Sequence, residues 1–195
     1  MAKRYAMVID LKRCVGCNAC TIACKQEWKE KVPSGEFRSR IKEIESGKYP
    51  NVTMVYRRTA CMHCADAPCV KACPVEPIKA TRKTPEGATI IDEKLCIQCG
   101  ACVEACPYKV RYLNTDNKVN DKADSCNFCY PRLQKGEMPA CTVNCVGKVF
   151  TFGDANDPKS EVRKKMKLAK PLKPELKTKP SVYYIPFGNR KWESL

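Results

Sequence analysis

The sequence predicts an α+β protein made of two nested units, each built from short strands and short helices around cysteine-rich loops, followed by an extended C-terminal tail. Three features predict this class. Sixteen cysteines fall into four groups, short apolar segments flank those groups, and a basic, proline-rich stretch follows residue 155. A length of 195 residues suits one or two small domains.

The cysteine groups carry the strongest signal. The third group, Cys96-Ile-Gln-Cys-Gly-Ala-Cys-Val-Glu-Ala-Cys-Pro107, has the spacing C-x2-C-x2-C-x3-C-P. This is the bacterial ferredoxin pattern, in which three cysteines hold one 4Fe–4S cluster and the fourth ligates a different one. The first group lacks the proline, the second has two extra residues before its third cysteine, and the fourth contains a long insertion, 130–140.

All sixteen cysteines belong to these groups, so the pattern predicts four 4Fe–4S clusters and two nested bacterial-ferredoxin-like units of two clusters each. The predicted iron ligands are Cys14, Cys17, Cys20 and Cys24; Cys61, Cys64, Cys69 and Cys73; Cys96, Cys99, Cys102 and Cys106; and Cys126, Cys129, Cys141 and Cys145.

Two alternatives explain the cysteines less well. Structural zinc sites pair two C-x2-C motifs and do not use a third thiol three residues further on. A disulfide scaffold is typical of shorter secreted chains. If clusters replace much of an apolar core, we expect the iron-free chain to be largely unfolded.

The layout of the groups indicates which of them pair. A strand at Tyr5–Asp10 leads into the first group, and 88–92 leads into the third in the same way. Short segments at 78–81, 110–113 and 149–152 follow three of the groups, and the turn at 84–87 predicts a hairpin. The second and third groups, with a strand at 52–56, therefore form an inner unit, 51–118. The first and fourth groups form an outer unit, 1–50 plus 119–155.

Other segments are polar or amphipathic. We expect a short polar helix at 25–31, an amphipathic segment at 36–49 that ends at Pro50, a polar connection at 114–124, and a charged helix at 161–168. The extension 156–195 is basic and rich in proline. Because such a run cannot fold alone, we expect it to lie along a partner or back over the core.

The charge of the chain is +15, but it does not favour nucleic-acid binding. Four clusters with their thiolates contribute roughly −8, leaving about +7. The extension holds eleven Lys or Arg against four Asp or Glu. No nucleic-acid-binding motif accompanies this charge, so we expect no nucleic-acid partner.

The sequence shows no apolar run that could span a bilayer, no signal-peptide pattern and no twin-arginine pair. We therefore expect no membrane span in the chain. It is either cytoplasmic or exported folded, together with a catalytic partner that carries the signal.

Several motifs resemble one family, the four-cluster iron–sulfur subunit of the dimethyl-sulfoxide-reductase superfamily. They are the second group Cys61-Met-His-Cys64 with Pro68-Cys69, Pro139-Ala-Cys141, the Phe152-Gly153-Asp154 segment, and the tail from Lys173-Pro-Glu-Leu to Tyr184. The resemblance covers about residues 4–186 and is greatest to the electron-transfer subunits of polysulfide and thiosulfate reductases. Respiratory arsenate reductase and a transhydroxylase have similar small subunits. Val146 departs from the family, which usually has Pro after the last cysteine.

The resemblance implies four ligand sets. The cluster nearest the catalytic subunit uses Cys14, Cys17, Cys20 and Cys145; the next uses Cys24, Cys126, Cys129 and Cys141; the third uses Cys61, Cys64, Cys69 and Cys106; and the distal one uses Cys73, Cys96, Cys99 and Cys102. It also implies a large partner with a molybdenum or tungsten bis-pterin site. A membrane quinone-reactive subunit is common in the family.

The function expected is electron transfer within an anaerobic respiratory oxidoreductase, with no substrate-converting site on this chain. The sole histidine, His63, is expected to pack beside the third cluster and donate a hydrogen bond to it. Two alternatives remain: a free polyferredoxin, and the iron–sulfur subunit of a hydrogenase or cytochrome complex.

Overall fold

The structure is a computed structural model that describes residues 2–29, 31–33, 35–114 and 122–193. The helices are short: α1 Ala19–Glu27, α2 Pro68–Lys71, α3 Ala101–Glu104, α4 Tyr130–Gln134, α5 Ala140–Val143 and α6 Glu161–Met166. The strands are β1 Tyr5–Asp10, β2 Ser39–Lys48, β3 Asn51–Ala60, β4 Thr81–Lys83, β5 Thr89–Ile91, β6 Tyr112–Leu113, β7 Ala123–Asp124, β8 Phe150–Asp154, β9 Lys170–Pro171 and β10 Val182–Ile185. The α+β class is therefore as predicted.

A four-stranded sheet, ordered β8-β1-β10-β9, organises the chain. β1 runs antiparallel to β8 and parallel to β10. Because side chains alternate along a strand, β1 contributes to two packed layers. Tyr5, Met7 and Ile9 face the core that contains most of the buried cysteines, whereas Ala6 and Val8 pack in the layer formed with α6.

The C-terminal extension lies back over the core, which is one of the two placements predicted for it. β10 pairs with β1 from Met7–Val182 to Asp10–Ile185. The phenol of Tyr184 is buried and donates to the Arg58 carbonyl at 3.0 Å. The hydroxyl groups of Tyr108 and Thr178 form a hydrogen bond of 2.7 Å. The extension is therefore held by backbone pairing and by buried side chains.

Three antiparallel strand pairs complete the described strands: β2–β3, β4–β5 and β6–β7. The predicted turn at 84–87 is confirmed, since the Gly87 amide donates to the Thr84 carbonyl at 2.9 Å between β4 and β5. The strand expected at 78–81 begins instead at Thr81. The amphipathic segment 36–49 mostly forms β2, paired along its whole length with β3. Much of the connection predicted at 114–124 lies outside the described residues.

The helices that follow the cysteine loops pack in pairs. α1 packs against α5, and α2 packs against α3. The helix expected at 25–31 is wrong in its bounds, because α1 begins at Ala19 within the first cysteine group and ends at Glu27. In the described ranges, no helix is both long enough and apolar enough to traverse a lipid bilayer.

Candidate metal centres

Each cysteine group has the same local geometry. Its third cysteine is the second residue of a helix, and its fourth cysteine follows four residues later. The pairs related in this way are Cys20 and Cys24, Cys69 and Cys73, Cys102 and Cys106, and Cys141 and Cys145. Cys24 lies within α1, where residues four apart share one face about 6 Å apart along the axis. The fourth cysteines of the other groups lie two residues beyond the ends of α2, α3 and α5. Each group therefore has one thiol at the start of a short helix and another within or just after it, which suits ligands of two adjacent clusters.

The loops before these helices use left-handed backbone conformations, which curl the chain tightly. The residues with positive φ in or beside these loops include Gly16, Asn18, His63, Gln98, Gly100, Phe128 and Cys129. Amide groups donate to sulfurs of the predicted ligands: His63 N contacts Cys61 Sγ and Val149 N contacts Cys145 Sγ, each at 3.4 Å. Such N–H···S contacts stabilise a thiolate.

Two cavities are lined by thiols from distant parts of the sequence. One is lined by Cys24, Cys126, Cys129 and Cys141. The other is lined by Cys14, Cys17, Cys20 and Cys145. Each cavity joins thiols of the first and fourth groups. Four thiolates are the donor set of a 4Fe–4S cluster, so the residues present fit such clusters.

Thiols of the second and third groups are also neighbours. Burial raises the pKa of Cys64 and of Cys69, and the nearby Cys106 thiol adds to both effects. Burial would raise the pKa of Cys73 too, but hydrogen bonds from the Thr81, Val75 and Ala80 amides lower it. The backbone around Cys73 thus favours the thiolate that iron requires.

The sulfur atoms are arranged around open spaces and are not grouped about one central point. All sixteen are free thiols. Within the described part of the chain, no three His, Cys, Asp or Glu side chains come together as they would around a single metal ion. A zinc ion would hold four sulfurs at about 2.3 Å from one centre. In a cubane each thiolate binds a different iron, so the sulfurs stand further apart.

Burial of the thiols differs between the groups. Cys17 and Cys99 are exposed, and Cys14, Cys96 and Cys145 are partly buried. The remaining eleven are buried. Burial raises the pKa of Cys20 to about 11 and that of Cys61 to about 12. Metal binding must overcome this cost, because the ligating form is the thiolate.

His63 is fully buried and stacks on Phe128, with ring centroids 3.4 Å apart. Its Nδ1 accepts a hydrogen bond from the Thr89 amide at 3.0 Å. Burial lowers the pKa of His63 well below its ordinary value, so the ring is neutral and its proton lies on Nε2. Nε2 has no hydrogen-bond partner among the described residues. The predicted donation to a cluster stays a prediction.

Two buried arginines near the thiols were missed by the sequence analysis. Arg58 lies three residues before Cys61, and Arg111 lies five residues after Cys106. Both side chains are buried. The only sequence feature that could have indicated them is a basic residue close to a cysteine group. Because the chain holds 36 Lys and Arg, closeness in sequence does not single these two out.

These features define a protein that binds iron–sulfur clusters. Residues 52–155 match a family model described as a 4Fe–4S dicluster domain, and residues 13–77 match a second model of the same description. The chain is 39% identical to the B subunit of tetrathionate reductase from Salmonella typhimurium, over 93% of its own length and 72% of that protein.

Two further relatives are as similar. The chain is 39% identical to the B polypeptide of polysulfide reductase from Wolinella succinogenes, over 95% of this chain and 96% of that protein. It is 41% identical to a homologue of protein NrfC from Haemophilus influenzae, over 95% of this chain and 81% of that protein. The chain belongs to the family of 4Fe–4S dicluster iron–sulfur subunits found in reductases of the dimethyl-sulfoxide-reductase superfamily. It is thus an electron-transfer subunit of an oxidoreductase complex.

Proposed function

We propose that the chain holds four 4Fe–4S clusters in two nested units. The ligand sets are, in order, Cys14, Cys17, Cys20 and Cys145 (set 1); Cys24, Cys126, Cys129 and Cys141 (set 2); Cys61, Cys64, Cys69 and Cys106 (set 3); and Cys73, Cys96, Cys99 and Cys102 (set 4). Sets 1 and 2 belong to the outer unit, 1–50 plus 119–155, and sets 3 and 4 to the inner unit, 51–118. The two thiol-lined cavities and the pairing of α1 with α5 and α2 with α3 support this arrangement.

Neighbouring thiols connect the sets in a line. Cys141 lies close enough to Cys20 to contribute to the rise in its pKa, after burial, which links sets 1 and 2. Cys126 and Cys61 share a buried cluster with Ala60, which links sets 2 and 3. Cys102 contributes to the raised pKa of Cys69, again after burial, which links sets 3 and 4.

The exposure of the thiols carries the proposal. Sets 2 and 3 are buried throughout, whereas sets 1 and 4 each place one cysteine, Cys17 and Cys99, at the surface. A bound cluster of this type takes up and gives up one electron at a time. The chain excludes water from the two middle sets and leaves the two end sets accessible. This is the layout of a relay with one entry and one exit.

Exposed apolar side chains lie beside each end. Val146, beside Cys145, is 76% exposed, and Val15 and Ile22 are also exposed near set 1. Ile97, beside Cys96, is 62% exposed near set 4. Exposed apolar groups around a functional surface favour protein contacts. A freely diffusing carrier would gain nothing from two such surfaces, so the free-polyferredoxin alternative is disfavoured.

The partner at set 1 is, in this proposal, a large catalytic subunit with a molybdenum or tungsten bis-pterin site. The surface at set 4 meets a quinone-reactive membrane subunit or another acceptor. The names of two relatives, as components of tetrathionate and polysulfide reductases, support a reductase complex of this kind. The complex is cytoplasmic or is exported folded with a signal-bearing catalytic partner.

Charge substitutions at the two ends test the proposal. Val146→Glu should abolish copurification with the catalytic subunit, because a carboxylate in a buried apolar contact costs several kcal/mol. Ile97→Glu should keep the catalytic subunit but block electron delivery to the external acceptor. Each variant is the control for the other, and both should retain about sixteen irons.

The opposite outcome would overturn the assignment of the two ends. If Ile97→Glu releases the catalytic subunit while Val146→Glu keeps it, the order of the sets is reversed. Stoichiometric zinc, or iron near twelve per chain in anaerobically purified wild-type protein, would exclude four 4Fe–4S clusters.

A further inference from the structure

Arg58 is a buried cation with no carboxylate beside it in the described part of the chain. Its side chain lies on β3 and is 2% exposed. Its Nε donates to Ser39 Oγ at 2.9 Å, and its two terminal nitrogens contact Met7 Sδ and Cys126 Sγ, both at 3.6 Å. The Phe150 ring also faces the guanidinium, 5.6 Å from its Cζ. Among the described residues its partners are thus sulfur, a neutral hydroxyl and an aromatic ring, although burying an unpaired charge is unfavourable.

Four cysteines of two ligand sets lie near Arg58, together with His63 and Tyr184. Burial opposes its charge, but Cys141, Cys126, Cys20 and Cys24 together raise the pKa of Arg58 above its ordinary value. Cys20 belongs to set 1 and the other three to set 2. The guanidinium thus contacts a thiol of set 2 and lies near a thiol of set 1.

Arg111 is a second buried cation near thiols of the inner unit. It is 6% exposed, and its one hydrogen bond to a described oxygen joins Nη1 to Thr81 Oγ1 at 3.3 Å. Its Nε and Nη2 are buried and have no hydrogen-bond partner among the described residues. Burial opposes its charge, but Cys69, Cys61 and Cys102, from sets 3 and 4, raise the pKa of Arg111.

A third buried arginine shows the usual alternative. Arg38 pairs with the Asp124 carboxylate at 2.7 Å. Arg58 and Arg111 lack such a pair among the described residues, so their countercharge must come from another anion. A 4Fe–4S cluster with four thiolates carries roughly −2 when oxidised and gains a further negative charge on reduction.

We propose that Arg58 and Arg111 are fixed counter-cations, one for each cluster pair, and that each raises the reduction potentials of both clusters in its own unit. The inference rests on the ligand sets of the proposed function. Reduction adds one electron and breaks no bond, and the guanidinium keeps its proton throughout. A nearby buried positive charge stabilises the added electron, and salt screens it little because water is excluded.

The test replaces each arginine by glutamine and by lysine in the full chain, purified anaerobically with its catalytic subunit. A dithionite titration followed by electron paramagnetic resonance gives the potential of each cluster. Arg58→Gln should lower the reduction equilibrium constant of two clusters at least tenfold. For a one-electron step this corresponds to a reduction potential lower by about 59 mV. Arg111→Gln should lower the potentials of the other two clusters. The lysine variants should retain most of the wild-type potentials.

Shifts of the same clusters in both glutamine variants, or equal shifts in the lysine and glutamine variants, would overturn the proposal. So would unchanged potentials in glutamine variants with full iron content. If a glutamine variant loses its clusters, retention of iron by the matching lysine variant supports a role of charge, and loss in both overturns it. The proposed function is tested separately by the iron content and the four resonances of the wild type.

Discussion

Gly16 offers a sharp test of the first ligand loop. Its φ is +72°, and a Cβ built at this position would lie 2.6 Å from Cδ1 and Cε1 of the Tyr56 ring. An L-residue in the left-handed region costs about 1–2 kcal/mol. Overpacking against the ring adds about 1–3 kcal/mol. Gly16→Ala should therefore destabilise this loop by about 2–5 kcal/mol.

Gly100, in the third cysteine group, is the matched control. Its φ is +75°, but a Cβ there would meet Leu113 Cδ1 at 3.4 Å, an ordinary contact. Gly100→Ala should destabilise its loop only by the cost of placing an L-residue in the left-handed conformation, about 1–2 kcal/mol. The difference between the variants, about 1–3 kcal/mol, corresponds to roughly a 5- to 150-fold difference in the population of the opened loop.

Iron release into a ferrous chelator measures that population, since a cluster becomes accessible when its loop opens. Gly16→Ala should release about four irons in a fast phase and retain the rest, and removing the ring by Tyr56→Ala in the same chain should slow this phase. A double-mutant cycle isolates the contact between the two side chains. Equal release rates for Gly16→Ala and Gly100→Ala, or no coupling in the cycle, would refute the steric reasoning.

Other predictions concern the C-terminal extension and the iron. Tyr184→Phe should destabilise the chain to denaturant by about 1–3 kcal/mol, because the phenol donates to a buried carbonyl; Tyr183→Phe, whose hydroxyl has no hydrogen bond among the described residues, should be nearly neutral. Leu172→Ala, at a fully buried position, should cost about 2–5 kcal/mol in the same denaturation assay; a value near zero would show that the extension is not part of the folded core. Removal of iron should abolish most of the far-ultraviolet circular dichroism, since the clusters replace much of the core; full retention of the signal would contradict this.

The cysteine loops were predictable from the sequence because their spacing is imposed by coordination. Iron fixes where thiols must lie, so the pattern is local and visible in one dimension. The β4–β5 turn was predictable for a similar reason, since Thr84 to Gly87 form a turn by local chemistry. The short apolar run Tyr5–Asp10 before the first cysteine group also predicted β1 with its correct bounds.

The remaining features depend on long-range packing. Ile41 and Ile44 lie three apart in an amphipathic segment, a spacing that also suits a helix, and pairing with β3 makes the segment a strand. The placement of β10 beside β1 joins residues about 175 apart, with no local signal for their register. The positions of Arg58 and Arg111 likewise depend on which thiols the fold brings around them.

The position of β10 has a consequence for the order of biosynthesis. β10 lies between β1 and β9, so one edge of β1, an early segment to leave the ribosome, has no partner until residue 185 has been translated. An unpaired, apolar strand edge is prone to pair with other chains. A chain that stops before β10 leaves that edge of β1 without its native partner and therefore open to association with other chains.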